Sequence, residues 1–384
     1  MKIKDICTSV TDGSHNPPQG IEKSQYMMLS SKNIFDDEIT FDEPRFLSEK
    51  DFEREHKRTK IAVGDVLLTI VGTVGRTAVV DEDMPAFALQ RSVAVLHPKN
   101  DVCLPRFLMY ALRGKRTYIA NRAKGVAQKG IYLKEVSDID IYIPDISNQE
   151  IIINKLDKVN AIIKLRQEEL LALDNLIKAR FVEMFGTLDN PSQEFAKATL
   201  KELCNKITDG KHGGCKAEEG TERYFVGARE IYDDEVHYNT APEINIDEFE
   251  KDYKRCNIEI GDFLIVNTGA TIGKSAIATD ERTEHTLLQK SVALLKVKKE
   301  VLNPVFLKWC YRVNTQMYIV KSASAQPNLL LSKINATVIY VPNIELQNQF
   351  VSFVEQVDKS KVAVQKALDE AQMLFDSLMQ EYFG

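Results

Sequence analysis

The feature that most constrains this chain is an internal duplication. "ICTSVTDGSH" (6–15) returns as "LCNKITDGKH" (203–212), a shift of 197 positions. "VGDVLLT" (63–69) returns as "IGDFLIV" (260–266), "TVGRTA" (73–78) as "TIGKSA" (271–276) and "LQRSVAVL" (89–96) as "LQKSVALL" (288–295). "FVEMFG" (181–186) closes the first copy as "MQEYFG" (379–384) closes the second, so the shift stays between 197 and 199 throughout. Such a long repeat is not a short-period solenoid. It requires one folding unit to be built twice.

Each copy has two parts. The first carries short β-rich runs with turn signals ("DVLLTIVG", "TAVVDED", "SVAVLHP", "DIDIYIP"), interrupted by a helical stretch, "LPRFLMYALRGKRTYIANRA". That mixture predicts an α+β module with helices packed on a sheet. The second part has helical period. Ile152, Leu156, Val159, Ile163, Arg166, Leu170, Leu173 and Ile177 form one stripe. Phe350, Val354, Val357, Lys361, Val364, Leu368, Ala371 and Phe375 form the other, in the same register. Heptad stripes with no Gly or Pro predict long helices with a coiled-coil seam. About 35 residues at a 1.5 Å rise make a rod of roughly 50 Å. Arg166 stands where the second stripe has Val364, and Lys361 where the first has Ile163, so each stripe carries one charge. The pattern does not give the pairing direction; symmetry favours antiparallel. The predicted layout is α+β: two similar globular domains separated by two long helices in an antiparallel coiled coil, a pseudo-two-fold internal repeat. The boundaries expected are 1–146 and 198–344 for the domains, 147–186 and 345–384 for the helices, and 187–197 for a linker.

Several enzyme signatures fail on inspection. "GATIGKSA" (269–276) has three residues between its glycines where a phosphate-binding loop needs four, and its repeat puts Arg76 in the lysine position. No Gly-x-Gly-x-x-Gly follows a strand, and no nucleophile elbow is present. His212 and Cys215 make two ligands, too few for zinc. Asp36-Asp37 and Asp233-Asp234 read as solvated turns in acidic loops. Asn16-Pro17-Pro18 resembles the start of the Asn-Pro-Pro-aromatic loop of amino-directed DNA methyltransferases, but Gln19 cannot stack on an extruded base and the second copy lacks the motif. No catalytic set emerges.

Charge distribution says more than the net charge of -6, which by itself argues weakly against nucleic acid. Residues 102–134 contain no acid yet carry eight Lys and Arg; residues 301–344 are also acid-free, with Lys308, Arg312, Lys321 and Lys333. Six scattered cysteines without a Cys-x-x-Cys pair, no apolar run of membrane-spanning length and a polar N-terminus favour a reduced, cytoplasmic setting.

These residues resemble the specificity subunit of type I restriction–modification systems. The resemblance rests on Asp-Gly-x-His (12–15 and 209–212), "GDVLLT" and "GDFLIV", and the helix entries "YIPDISNQEIIINKLD" and "YVPNIELQNQFVSFVE", in that order in both copies. It implies a non-catalytic, sequence-specific DNA-binding subunit. Each recognition domain would read one half of a bipartite, asymmetric target with an unread gap, and the helix pair would set that gap. Partners implied are double-stranded DNA, two adenine-N6 methyltransferase subunits and the restriction subunits. S-adenosylmethionine and ATP with Mg would belong to those partners, with no cofactor on this chain. The alternative is a non-catalytic coiled-coil scaffold with two protein-binding modules.

Phosphate contacts are expected in the acid-free segments, at Lys124, Lys129, Lys321 and Lys333. Side chains able to read base edges recur in register: Gln90-Arg91 with Gln289-Lys290, Thr73 and Arg76 with Thr271 and Lys274, and Gln128 with Gln326 followed by Asn328. Recurrence favours a scaffold role, because different half-sites need different readers. Positions that differ, Ser14/Lys211 and Lys129/Pro327, are the better specificity candidates. His15 and His212 are expected to fix the turn.

Overall fold

A computed structural model describes residues 1–125, 129–318 and 328–384. By contacts the chain divides into two units: unit 1 is 1–167 with 365–384, and unit 2 is 168–364. Each long helix, Ile146–Phe185 and Ile344–Phe383, therefore contributes one half to each unit.

Unit 1 is built on a four-stranded antiparallel sheet in the order Cys7–Asp12, Val93–Pro98, Val66–Thr69, Thr77–Val79. Side chains alternate across a strand, and here both faces are covered. Val66, Leu68, Ala94 and Leu96 pack under helix Pro105–Gly114, through Phe107, Leu108 and Leu112. Leu67, Val93 and Val95 face the other way, onto Leu29, Phe87 and Leu89. Burial on both sides is why these strands read as unbroken apolar runs rather than alternating ones. Met27–Leu29 and Phe87–Leu89 pair in parallel beside this sheet.

Unit 2 repeats the plan with Cys204–Asp209, Val292–Val297, Phe263–Val266 and Ser275–Ile277. Even the irregularity in the first strand recurs, between Cys7 and Ser9 and between Cys204 and Lys206. One expected strand differs. In unit 2, Val338–Val341 pairs with Ala196–Thr199. The matching run in unit 1, "DIDIYIP", forms no strand; it makes the bridge Lys2–Asp140, with Ile3 N donating to Ile139 O at 3.1 Å and Ile141 N to Met1 O at 2.9 Å.

The helices run antiparallel within each unit. In unit 1, Leu156, Val159 and Ile163 share a core with Ala371, Phe375 and Phe383, and Lys155 Nζ donates to Tyr382 Oη at 2.9 Å. In unit 2, Ile177, Phe181 and Phe185 meet Phe350, Val354 and Val357. Phe181 lies 5.3 Å from Phe350 and 5.5 Å from Phe306, ring centre to ring centre, joining both helices to helix Pro304–Val313. The stripe charge Lys361 is neutralised by Asp174 at 2.7 Å. Among the described residues no helix is long and apolar enough to cross a membrane.

Candidate nucleic-acid interface

The Asp-Gly-x-His turn is seated against the strand that precedes each Gln-Arg or Gln-Lys pair. Ser14 N donates to Leu89 O at 2.7 Å and Arg91 N to Ser14 O at 2.9 Å. Lys211 N donates to Leu288 O at 2.7 Å and Lys290 N to Lys211 O at 3.0 Å. A Cβ on Gly13 would lie 2.1 Å from Leu89 O, and one on Gly210 would lie 2.1 Å from Leu288 O. Close backbone approach, not a special φ, is what demands glycine here.

The motif's Asp gathers a histidine and an arginine. Asp12 Oδ2 meets His15 Nε2 at 2.8 Å, and Asp12 Oδ1 accepts from Arg58 Nη2 at 3.2 Å. In unit 2, Asp209 meets His212 at 3.3 Å and pairs with Arg255. Arg58 and Arg255 are not among the residues expected from the motifs, although their spacing of 197 is the repeat shift. That recurrence is the signal that could have found them.

In unit 1 these groups open onto two adjoining hollows. The larger, about 610 Å³, is lined by Asp12, His15, Arg58, Arg91, Lys124 and Tyr132, among others. The second shares His15 and Arg91 and adds Ser14, Pro17, Ser31, Gln90 and Ser92. His15 and Arg91 are exposed, as is Lys124, which lies 3.7 Å from Glu135. Lys129 is exposed beside them on the chain and accepts through its carbonyl from Gly72 N at 3.1 Å. Ser14 is buried. Asn16 is exposed at a surface bend, and Pro18 O accepts from Arg45 Nη1 at 2.7 Å.

Other candidates are not brought to this place. Arg76 lies over the Phe35 ring at 4.8 Å, and Thr73 is exposed on the preceding turn, its carbonyl accepting from Thr69 Oγ1. In unit 2, Lys274 borders a hollow of about 470 Å³ with Asp174, Lys178, Asp234 and Arg312; Thr271 is half-buried on the same turn. Lys290 and His212 are exposed, while the Gln289 side chain covers Gly227. Lys211 is held by Asp252 at 2.6 Å and Glu248 at 3.4 Å, and the bond to Asp252 raises its pKa despite burial. Asn328 Oδ1 accepts from Thr268 Oγ1 at 3.3 Å. Lys333 is exposed in a different hollow, near Leu188, Asp189 and Lys197. Gln128, Lys321 and Gln326, with Pro327, lie outside the described residues.

Two sequence readings are corrected. Asp36, Asp37 and Asp234 are ion-paired, not simply solvated, whereas Asp233 is exposed as expected. Asp36 pairs with Arg116 and, at 3.9 Å, Arg113; Asp37 pairs with Arg106 at 3.0 Å; Asp234 takes Lys308 at 3.2 Å and Arg312 at 3.1 Å. Much of the cationic charge in the acid-free segments is therefore neutralised by acids from elsewhere in the same unit, and is not a free phosphate-binding face. Burial pulls the Arg106 pKa down, but hydrogen bonds to Asp157 and Asp37 outweigh it and hold the guanidinium above its ordinary value.

No group of three or more His, Cys, Asp or Glu side chains is placed to hold a metal among the described residues. The cysteines are unpaired, and burial pushes the thiols of Cys7, Cys103 and Cys204 up to about 12.

Comparison with known proteins bears on both copies. A family model for the type I restriction modification DNA specificity domain matches residues 1–175 and again 192–371. The type I restriction enzyme EcoBI specificity subunit of Escherichia coli is 27% identical over 229 residues. That match covers 56% of this chain and 47% of the relative, so the chain spans about half the length of the curated relative it matches. Two solved structures share the fold over all of this chain. The S subunit of a type I restriction–modification system from M. genitalium has a TM-score of 0.56 at 15% identity, with 95% of that chain covered. A chain from a structure on complex assembly and conformational transition of the type I R-M system has a TM-score of 0.57 at 17% identity, with 96% covered.

Proposed function

The chain belongs to the type I restriction–modification DNA specificity family, and on that footing we propose that it is the non-catalytic, target-reading subunit of such a complex. Each module reads one half of a bipartite, asymmetric sequence in double-stranded DNA, and the helix pair sets the unread gap. The layout is then a recognition module at 1–146, a spacer helix at 147–186, a linker at 187–197, a second module at 198–344 and a second spacer helix at 345–384. Two adenine-N6 methyltransferase subunits and restriction subunits dock on it in the cytoplasm. S-adenosylmethionine and ATP with Mg are handled by those partners.

The observation that carries this reading is the family match to each copy separately, on modules whose rims differ. The first rim presents His15, Arg91, Lys124 and Lys129; the second presents His212, Lys290 and Asn328, exposed side chains suited to phosphates and base edges. Two linked readers see their second half-site at high effective concentration, so modest affinities multiply. The test is co-expression with the accompanying methyltransferase subunits and mapping of modified adenines. Methylation at one gapped, non-palindromic sequence is expected; a chain that neither co-purifies nor directs methylation would favour a protein-binding scaffold.

A further inference from the structure

We propose that Arg106 is a positioning residue for target spacing, locking the first reading module to the long helix at one angle and so restricting the gap the chain accepts; this rests on the function proposed above. Arg106 donates to both oxygens of Asp37, at 3.0 and 3.2 Å, and to both oxygens of Asp157, at 2.7 to 3.0 Å. Asp37 belongs to the module's hairpin Ile34–Ile39, where it takes a left-handed backbone conformation with φ 59°. Asp157 belongs to the long helix Ile146–Phe185, and Tyr110 Oη donates to it at 2.6 Å. The helix also reaches back: Asn160 Nδ2 donates to Asp37 at 2.8 Å, and Lys164 lies 3.7 Å from it.

One planar guanidinium thus forks to two carboxylates on separate elements. Only arginine has the donors to do this; lysine is a point charge that cannot hold two bidentate partners in a fixed plane. Unit 2 fastens its module otherwise. The position matching Arg106, one residue after the helix-opening proline, is Val305. Asp234 is held instead by Lys308 and Arg312, with single contacts, and Arg312 reaches Asp174 of the long helix only at 4.0 Å. A double fork fixes an angle; single contacts fix mainly a distance. Linked binding favours one spacing only to the extent that the reader cannot turn on its support.

The test compares the wild-type chain with Arg106→Lys, Asp157→Asn and, as control, Arg54→Gln, whose surface pairs with Asp51 and Glu55 lie outside this network. Each is co-expressed with its methyltransferase subunits, and methylation is mapped on plasmids carrying the target with its gap altered by one base pair either way. Arg106→Lys and Asp157→Asn are expected to keep both half-sites while discrimination against altered gaps falls by about tenfold. Arg54→Gln should behave as wild type. A loss of thermal stability alone would not move gap selection. Unchanged discrimination in both variants overturns the proposal, as do altered half-sites, which would make Arg106 a reader. Absence of gapped methylation with the wild-type chain overturns the functional reading itself, and the proposal with it.

Discussion

Gln149 and Gln347, 198 positions apart, make the same three hydrogen bonds in the two copies. Gln149 Nε2 donates to Val102 O and Pro144 O, at 2.9 and 2.8 Å, and its Oε1 accepts from Leu104 N at 2.8 Å. Gln347 repeats this with Val301 O, Pro342 O and Asn303 N, at 2.9, 2.8 and 2.9 Å. Both side chains are fully buried. The glutamine of the helix-entry motif therefore ties the start of each long helix to the loop before the Pro-initiated helix. Gln149→Leu leaves unpaired the three backbone groups that face this fully buried side chain, each costing about 1–3 kcal/mol. Urea unfolding of the full chain should register a loss of at least about 3 kcal/mol. A near-neutral effect would mean that water substitutes for the amide.

Gly13→Ala should displace the Asp-Gly-x-His turn of the first module. The added methyl meets the Leu89 carbonyl at 2.1 Å, and neither partner is a flexible side chain. We expect destabilisation of more than about 1 kcal/mol, together with weakened recognition of one half-site only. Equal weakening of both halves in methylation mapping would contradict the assignment of this turn to one module.

The pair His97–Asp65 predicts pH-dependent stability. His97 Nδ1 meets Asp65 at 2.7 Å and Nε2 meets Thr59 O at 3.1 Å; both partners accept, so the ring is best satisfied as the imidazolium. The hydrogen bond to Asp65, against opposing burial, raises its pKa above the ordinary histidine value. A raised folded-state pKa stabilises fully below the unfolded value of about 6.5 and is lost as pH rises through the folded one. Melting temperature should therefore fall as pH is raised from about 6.5 upward. In unit 2 the matching pair is Lys296–Asp262 at 2.9 Å, with a lysine in place of the histidine. His97→Lys should flatten the profile, and an equally sloped profile in that variant would refute the assignment.

Arg91→Ala and Lys124→Ala remove exposed cations from the first hollow. If either contacts a phosphate, the assembled complex should lose affinity, and its slope of log K against log salt should drop by about 1 per contact. Sequence preference should survive for a phosphate contact and relax at one base pair for a base contact. A variant with both unchanged lies outside the interface.

Phe181→Ala tests the helix pairing in unit 2. Phe181 contacts Phe306 and Phe350 and is fully buried, so truncation should cost about 3–5 kcal/mol. Thermal unfolding of the full chain reads this directly, and a loss under about 1 kcal/mol would place the seam elsewhere.

Much of this architecture is legible in the amino-acid sequence. The heptad stripes place Leu156, Val159 and Ile163, and Phe350, Val354 and Val357, on the buried seam where they are found. "DVLLTIVG" and "SVAVLHP" are strands, but "DIDIYIP" is not, because pairing depends on what stands opposite and not on β propensity alone. Among the candidate residues, His15, Gln90, Arg91 and Lys124 converge on adjoining hollows, whereas Arg76 and Lys333 do not. Arg58 is legible too, because "DFEREHKR" (51–58) returns as "EFEKDYKR" (248–255), but nothing local says that its guanidinium meets Asp12, 46 residues away.

The sequence by itself determined the duplication, the α+β modules and the helical seam, because these follow from periodicity and local propensity, which act between near neighbours in the chain. It could not determine the direction of helix pairing, since a heptad stripe looks the same read either way. Nor could it determine where charge is spent. Asp37 and Arg106 lie 69 residues apart, and Asp36 and Arg116 80 apart. An acid-free segment therefore looks like a free basic face. Only tertiary packing decided that these arginines face inward to the module's own aspartates, because an ion pair is made by the distance between two side chains and is invisible to composition.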